Sequence, residues 1–207
     1  MLTLRRSSFA GLLACAVLGT AADAPALSFE TLATPFTGSD TAVRITLTEA
    51  GGDIVFTLSV EEGLADLRGV FFDIANDVLL AGLSASGEFV TGFFATGDVI
   101  DLGHGGNLHG GGTPCPCDIG VELGTPGIGK DDIQSTSFVL SHNTESLSLA
   151  DFSEQLIGVR VTSVGDEDSR EGSSKLRGTL PPIPEPSTAL LLTLGVAGLA
   201  ASRRPRR

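Results

Sequence analysis

Short stretches of alternating apolar and polar residues, separated by glycine-rich turns, dominate the middle of the chain. Val43–Thr48 alternates in this way, Ile54–Ser59 does so in part, and Glu49–Asp53 between them is rich in glycine. Alternation with a period of two is typical of half-buried strands. Two such segments joined by a short glycine turn predict a β-hairpin.

Further strand candidates follow this hairpin along the chain. They are Leu67–Ile74, Phe89–Phe94, Ile119–Leu123, Ser135–Leu140 and Gln155–Val164. Apart from the two terminal segments, no long segment places its apolar residues with the period of a helix. Short strands separated by turns predict a mainly β protein built as an antiparallel β-sandwich. The strand order stays open, with an immunoglobulin-like or a cohesin-like topology both compatible with the pattern.

The N-terminus has a different pattern. Arg5 and Arg6 precede the apolar run Phe9–Leu18, and small residues follow it. A positive start, a short apolar run and small residues predict a secretory signal peptide over residues 1–26. Lipidation at Cys15 and export through a twin-arginine signal are two weaker alternatives.

The C-terminus combines three features in a fixed order. A Pro-Glu-Pro triplet comes first, an uncharged run follows, and basic residues end the chain: Pro184, Glu185, Pro186, then Ser187–Ala201, then Arg203, Arg204, Arg206 and Arg207. As a helix the uncharged run would span about 22 Å, so it could cross a ~30 Å bilayer core with local thinning. The arginines act as a stop and favour the cytoplasmic side. The prolines disfavour a helix, so the triplet is expected to be extended at the outer membrane surface.

This tail resembles the PEP-CTERM sorting signal of Gram-negative bacteria. In that family the tail is recognised by exosortase, a membrane-embedded cysteine transpeptidase, and is removed near the motif. The resemblance implies an exosortase-type enzyme as a partner and anchoring in the inner membrane before processing. It also implies a final location at the cell surface or in an extracellular matrix, in contact with extracellular polysaccharide. An ordinary C-terminal membrane anchor is the alternative.

The middle of the chain also resembles a group of uncharacterised PEP-CTERM proteins. The resemblance lies in Leu67–Asp73, Gly120–Ile133, Ser137–Leu140 and Gly158–Gly165. It implies a folded module but no reaction. The domain organisation expected from all these patterns is a signal peptide at 1–26, a β domain at 27–165, an acidic, proline-containing linker at 166–183 and the sorting signal at 184–207.

The charge of the mature chain limits its partners. Residues 25–183 contain seven cations and 23 carboxylates. Because such a surface repels phosphate, we expect no nucleic-acid partner. The chain has no Trp and no Tyr, which are the residues that suit a wet sugar-binding platform. The acidity is explained either by solubility outside the cell or by binding of calcium at acidic turns, such as Asp98, Asp101, Asp131, Asp132 and Asp166–Asp168.

A glycine-rich segment at 101–117 holds the candidate transition-metal ligands. They are His104, His109, Cys115 and Cys117. Imidazole and thiolate are ligands of zinc, but Cys-x-Cys is not a usual zinc spacing, so a polar surface loop is the alternative. Export favours oxidised thiols. A Cys115–Cys117 disulfide is one alternative, although its geometry would be strained. Intermolecular disulfides and free thiols are the other two. We therefore expect no cofactor, and zinc or calcium are the alternatives.

No pattern in the sequence predicts catalysis. Gly124–Lys130 has the spacing of a phosphate-binding loop, but Asp131 stands where that motif needs Ser or Thr. We therefore expect a non-enzymatic exported protein of the cell surface or extracellular matrix, with a structural or adhesive role. A metal- or calcium-dependent binding module is the alternative, and a secreted hydrolase is the third hypothesis.

Overall fold

The computed structural model describes residues 27–104, 106–110, 116–125 and 131–183. This part of the chain forms ten β-strands and two 3₁₀ helices. The strands are β1 Ser28–Gly38, β2 Ala42–Ala50, β3 Asp53–Glu62, β4 Leu64–Phe72, β5 Leu83–Ser86, β6 Val90–Val99, β7 Cys117–Leu123, β8 Ser135–His142, β9 Leu156–Gly165 and β10 Gly172–Thr179. The 3₁₀ helices are Asp77–Gly82 and Leu149–Phe152. The prediction of a mainly β protein is confirmed.

All ten strands belong to one antiparallel sheet with the order β5-β8-β3-β2-β1-β10-β9-β4-β7-β6. The two edge strands, β5 and β6, are consecutive in the chain and are joined by the short turn 87–89. The sheet therefore curls until its two edges almost meet. The predicted two-layer sandwich was wrong. The strands expected to form two separate sheets belong to one sheet, because the first half of the long strand β1 pairs with β2 and the second half pairs with β10.

The predicted hairpin is formed by β2 and β3. Ala50 lies opposite Asp53 in the ladder. Gly51 and Gly52 fill the turn with φ angles of 68° and 98°. Glycine adopts these positive φ angles without the steric cost that other residues carry. The glycine pattern therefore located this turn correctly.

The segment expected to be a linker behaves differently. Residues 172–179 form β10, which lies inside the sheet between β1 and β9. Its two inward-facing residues are Ser174 and Leu176, both buried. Because only one of them is large and apolar, β10 has almost no alternating hydrophobic signal. Pairing with two neighbouring strands stabilises it instead.

Four of the phenylalanine rings in the interior of the curled sheet contact one another. The ring of Phe56 stacks on Phe138 at a centroid distance of 4.8 Å and lies 4.8 Å from Phe72. Phe152, in the second 3₁₀ helix, meets Phe56 edge-on at 6.0 Å. Offset stacking and edge contacts are the favourable geometries for aromatic pairs. The second 3₁₀ helix therefore closes one end of the interior, and its Phe152 packs into the same core as the strand residues.

The strand directions define two ends of the sheet. We call the end where β1 begins and β10 finishes the exit end, and the opposite end the far end. Both 3₁₀ helices lie at the exit end, where the Ala75 amide donates to the Asp151 carbonyl at 2.8 Å. The described parts of the connection between β7 and β8, residues 124–125 and 131–134, lie at the far end. The described chain thus enters and leaves the sheet at the same end.

A second apolar cluster lies on the outer face of the sheet. Leu102 and Leu108, from the segment that follows β6, pack there against strand residues. A Cβ atom at Gly120 would lie 2.4 Å from Leu102 Cδ2, and one at Gly158 would lie 2.5 Å from Leu108 Cδ1. These two glycines therefore provide the space in which the leucines fit.

Replacing Gly120 by alanine should weaken this docking. Because the added methyl group overlaps Leu102, we expect Gly120→Ala to lower the free energy of unfolding by about 1–3 kcal/mol. The measurement is urea-induced unfolding of the purified protein.

A double-mutant cycle tests the cause. Leu102→Ala alone should cost about 2–5 kcal/mol because it leaves a cavity. In the Gly120→Ala, Leu102→Ala double variant the methyl group no longer overlaps Leu102, although its close approach to Val99 Cγ1, at 2.7 Å, remains. The combined loss should therefore be smaller than the sum of the two single losses. Additive losses in the free energy of unfolding would contradict a direct contact between residues 120 and 102.

Candidate functional site

The predicted sorting residues lie outside the described residues. They are Pro184, Glu185, Pro186, Arg203, Arg204, Arg206 and Arg207, and the predicted signal peptide at 1–26 also lies outside. In the ranges that the structure covers, no helix has both the length and the hydropathy needed to cross a bilayer. The predicted C-terminal membrane segment thus stays a prediction.

The described chain is held against the sheet until it reaches the triplet. The Leu180 amide donates to the Gln155 carbonyl at 2.9 Å. The Ile183 amide donates to the Ser153 hydroxyl at 3.1 Å. The domain therefore extends to the residue directly before Pro184, and no free spacer separates the two.

Three of the four candidate metal ligands lie in the described part of the chain. Cys117 is buried in the outer-face cluster and its side chain bonds to the Asp73 carboxylate. His104 is exposed, with Nδ1 3.5 Å from Glu122 Oε1. His109 is exposed at the outer face. These three side chains have different surroundings, and the structure does not gather them around one point.

The described ranges hold no group of three or more His, Cys, Asp or Glu side chains that could bind a metal ion. Cys115 lies outside these ranges. The four-residue metal site and the Cys115–Cys117 disulfide therefore stay predictions.

The acidic turns use their carboxylates locally. Asp101 Oδ1 accepts a hydrogen bond from the Gly103 amide at 2.7 Å. Asp166 Oδ1 accepts from the amides of Asp168 and Ser169. Such bonds close turns by satisfying nearby backbone groups. The calcium hypothesis stays a prediction at these positions.

The far end carries an ionic cluster that the linear sequence did not reveal. Its members are Asp66, Arg68, Asp131, Asp132 and Arg170. Arg68 Nη1 lies 3.7 Å from a carboxylate oxygen of Asp66 and 3.7 Å from one of Asp131. Arg170 forms an ion pair with Asp132. The cluster joins β4 to the β7–β8 connection and to the segment before β10.

This cluster fastens the described parts of the β7–β8 connection at the far end. Asp66 Oδ1 accepts a hydrogen bond from the Ile133 amide at 2.8 Å. Arg68 donates to the Thr125 carbonyl. Asp131 in turn accepts from the amide and the hydroxyl of Thr125. Charge-assisted bonds of this kind hold a loop in one geometry.

Two atoms in the cluster retain bonding capacity. Asp66 Oδ2 and Arg68 Nη1 are buried and make no hydrogen bond within the described residues. A depression of about 230 Å³ borders Asp66, Asp132, Ser163 and Arg170. One hydroxyl group could donate to the carboxylate and accept from the guanidinium. Burial raises the pKa of the Asp66 carboxyl, while the Ile133 amide and Arg68 oppose this rise.

A larger groove lies on the outer face of the sheet near the far end. Its volume is about 470 Å³. Hydroxyl side chains and one carboxylate supply its polar groups: Thr57, Ser86, Ser135, Ser137 and Glu88. Thr57 and Ser137 lie directly opposite each other on β3 and β8, so their hydroxyls face the same way. The groove thus offers a row of neutral hydrogen-bonding groups.

The comparison with protein families identifies the C-terminal segment. Residues 182–207 match the PEP-CTERM protein-sorting motif. Such a motif implies export, anchoring in the membrane before processing, and sorting that depends on exosortase, a membrane enzyme. The chain therefore carries a PEP-CTERM sorting motif at the position that the resemblance of its tail predicted. Comparison with curated proteins and with solved structures gave no match for the chain.

Removing the arginine of the far-end cluster should destabilise the fold. Arg68→Gln leaves the Asp66 carboxylate buried without its counter-charge, so we expect a loss of about 3–5 kcal/mol in the free energy of unfolding at neutral pH. Urea unfolding measures this loss. Arg44→Gln is the matched control, because Arg44 pairs with Glu30 and Glu61 at the exposed surface and should change stability little.

The loss should depend on pH with a defined sign. A buried carboxyl with a raised pKa binds its proton more tightly in the folded state, so stability rises as the pH falls through that pKa. Arg68→Gln raises the pKa of Asp66 further, and its deficit against wild type should therefore narrow on acidification. A deficit that stays constant from neutral pH to pH ~4 would contradict an effect acting through Asp66.

Proposed function

We propose that the mature domain is a non-catalytic structural or adhesive component of the cell surface or of an extracellular polysaccharide matrix, delivered there by exosortase-dependent sorting. The observation that carries the proposal is the position of the two chain ends. Leu27 follows the predicted signal peptide and Ile183 precedes the Pro-Glu-Pro triplet, and both lie at the exit end of the sheet.

This geometry favours display. While the C-terminal segment holds the protein in the membrane, the exit end faces the bilayer and the far end points away from it. The hydroxyl-lined groove and the ionic cluster both lie towards the far end. A domain oriented in this way presents its polar depressions to whatever surrounds the cell.

The fold also tolerates removal of the tail. β10 ends at Thr179, and the last described backbone contact involves Ile183. Cleavage near the triplet therefore leaves every strand of the sheet complete. The released protein keeps the same surface that it displayed while anchored.

Polysaccharide is the partner that the groove favours. Sugar hydroxyls bond well to Ser and Thr hydroxyls and to carboxylates. The groove supplies these groups, although the chain lacks the Trp and Tyr residues of a stacking platform. Binding by many weak hydrogen bonds over an extended surface suits an adhesive role better than a deep catalytic pocket does.

The processing step is tested on protein recovered from the producing cells. Replacing Pro184, Glu185 and Pro186 by alanine should abolish removal of the tail, because the enzyme recognises the triplet. Intact mass spectrometry should show the loss of both terminal segments in wild type and retention of the C-terminal one in the variant. An intact tail in both proteins would contradict processing and would mean that the C-terminal segment is an ordinary membrane anchor.

The adhesive role has a separate test. Thr57→Gln with Ser137→Gln fills the groove with longer side chains, and we expect the protein to move from the matrix to the medium. Co-sedimentation with the secreted polysaccharide should fall by about tenfold, as expected for several lost hydrogen bonds. The control is Thr34→Gln with Thr179→Gln, two exposed positions outside the groove. Equal co-sedimentation of the groove variant and the control variant would exclude the groove as the polysaccharide-binding site.

A further inference from the structure

A small cavity on the outer face differs in charge from the rest of this acidic chain. Its volume is about 200 Å³. The strands β1, β9 and β10 and the segment after β6 provide its lining, which is Thr37, Gly38, His109, Arg160, Ser173 and Lys175. Two of these side chains are permanent or near-permanent cations, and none is a carboxylate.

The two cations are direct neighbours. Arg160 on β9 lies opposite Lys175 on β10 in the antiparallel ladder. Directly opposite residues share one face with Cβ atoms about 5 Å apart, and like charges at such positions are destabilising. Both side chains are half-buried, which removes part of the water that would otherwise screen them.

Neutral oxygen atoms accept hydrogen bonds from both cations. Arg160 Nη1 donates to the carbonyls of Val161 and Ser174, both at 3.1 Å. Lys175 Nζ donates to Asn107 Oδ1 at 2.9 Å. Burial and the charge of Arg160 lower the pKa of Lys175, and the more distant charge of Asp101 opposes this. Burial and the neighbouring guanidinium thus disfavour the positive charge of Lys175.

Three arginines in the described ranges form ion pairs. Arg44, Arg68 and Arg170 each have a carboxylate oxygen within 4.0 Å. Lys175 has no such ion pair within the described residues, although the chain has a large excess of carboxylates. An anion from outside would supply a counter-charge to Lys175.

We propose that the cavity binds an oxyanion, of the kind that a uronic acid or a sulfated sugar carries. Arg160 and Lys175 provide the charge, because guanidinium and ammonium donors form strong hydrogen bonds to carboxylate and sulfate oxygens. Ser173 adds a hydroxyl donor. Gly110 packs against Thr37, where a Cβ would lie 2.7 Å from Thr37 Cγ2, and this close approach places His109 at the rim. The site goes beyond the proposed function and does not depend on it.

The test is isothermal titration of the full-length chain, purified in detergent, at constant ionic strength. Glucuronate, sulfate and inorganic phosphate are the three probes. We expect saturable binding of at least one probe, and Lys175→Gln should weaken it by about tenfold through the loss of a charged donor. Saturation by glucuronate alone would assign a carboxylate, whereas saturation by sulfate or phosphate would assign a tetrahedral oxyanion.

Two further variants test whether binding depends on this cavity or on general surface charge. Arg177→Gln removes the same charge two residues along β10, where the guanidinium lies 5.6 Å from the ring centroid of Phe36 and outside the cavity lining. It should bind the probe as wild type does. Arg160→Gln should lose binding while its circular dichroism stays native, and Lys175→Gln alone decides the matter if Arg160→Gln does not fold.

A second readout follows the lysine itself. Anion binding should raise the pKa of Lys175, which NMR titration of its side-chain resonances measures. The proposal is overturned if no probe binds saturably below about 10 mM. An equal loss of binding in Arg177→Gln would also overturn it, since it would show attraction to general surface charge.

Discussion

The double pairing of β1 is the constraint on which the rest of the structure depends. Its first half completes the ladder of β2 and its second half that of β10, with a register shift between Pro35 and Thr37. Such an irregularity bends a strand and increases its twist. The bend turns what could have been two layers into one curled sheet, and the pairing with β10 brings the last strand beside the first. Both chain ends consequently lie at the exit end.

The sequence predicted those parts of the fold that local pattern controls. The β2–β3 hairpin was found because alternation and two turn glycines are contiguous in the chain. β10 was missed because its large buried side chains are reduced to Leu176, and because one of its two pairing partners, β1, is distant in sequence. The far-end cluster was missed for the same reason, since Asp66 bonds to a residue 67 positions away. Charge alone does not indicate which acidic residue will be buried.

The middle segments for which the sequence analysis noted a resemblance have structural roles in the fold. In Leu67–Asp73, Arg68 fastens the far-end connection and Asp73 accepts a hydrogen bond from the Asp118 amide at 3.2 Å. In Gly120–Ile133, Gly120 makes room for Leu102 and Asp131 ion-pairs with Arg68. These contacts link the two segments to each other. Their residues are therefore explained by the stability of the fold, and they support a folded module as the resemblance implied.

The absence of a spacer between the domain and the triplet bears on sorting. Residues 180–183 would span at most about 14 Å if fully extended, and their contacts with Ser153 and Gln155 keep them against the sheet. A membrane enzyme that acts near Pro184 therefore works beside the exit end of the folded domain. Because that end is closed by the two 3₁₀ helices and their buried side chains, the domain can approach the bilayer without exposing its core. The display that we propose would use the same arrangement, with the far-end depressions on the side of the domain opposite the exit end.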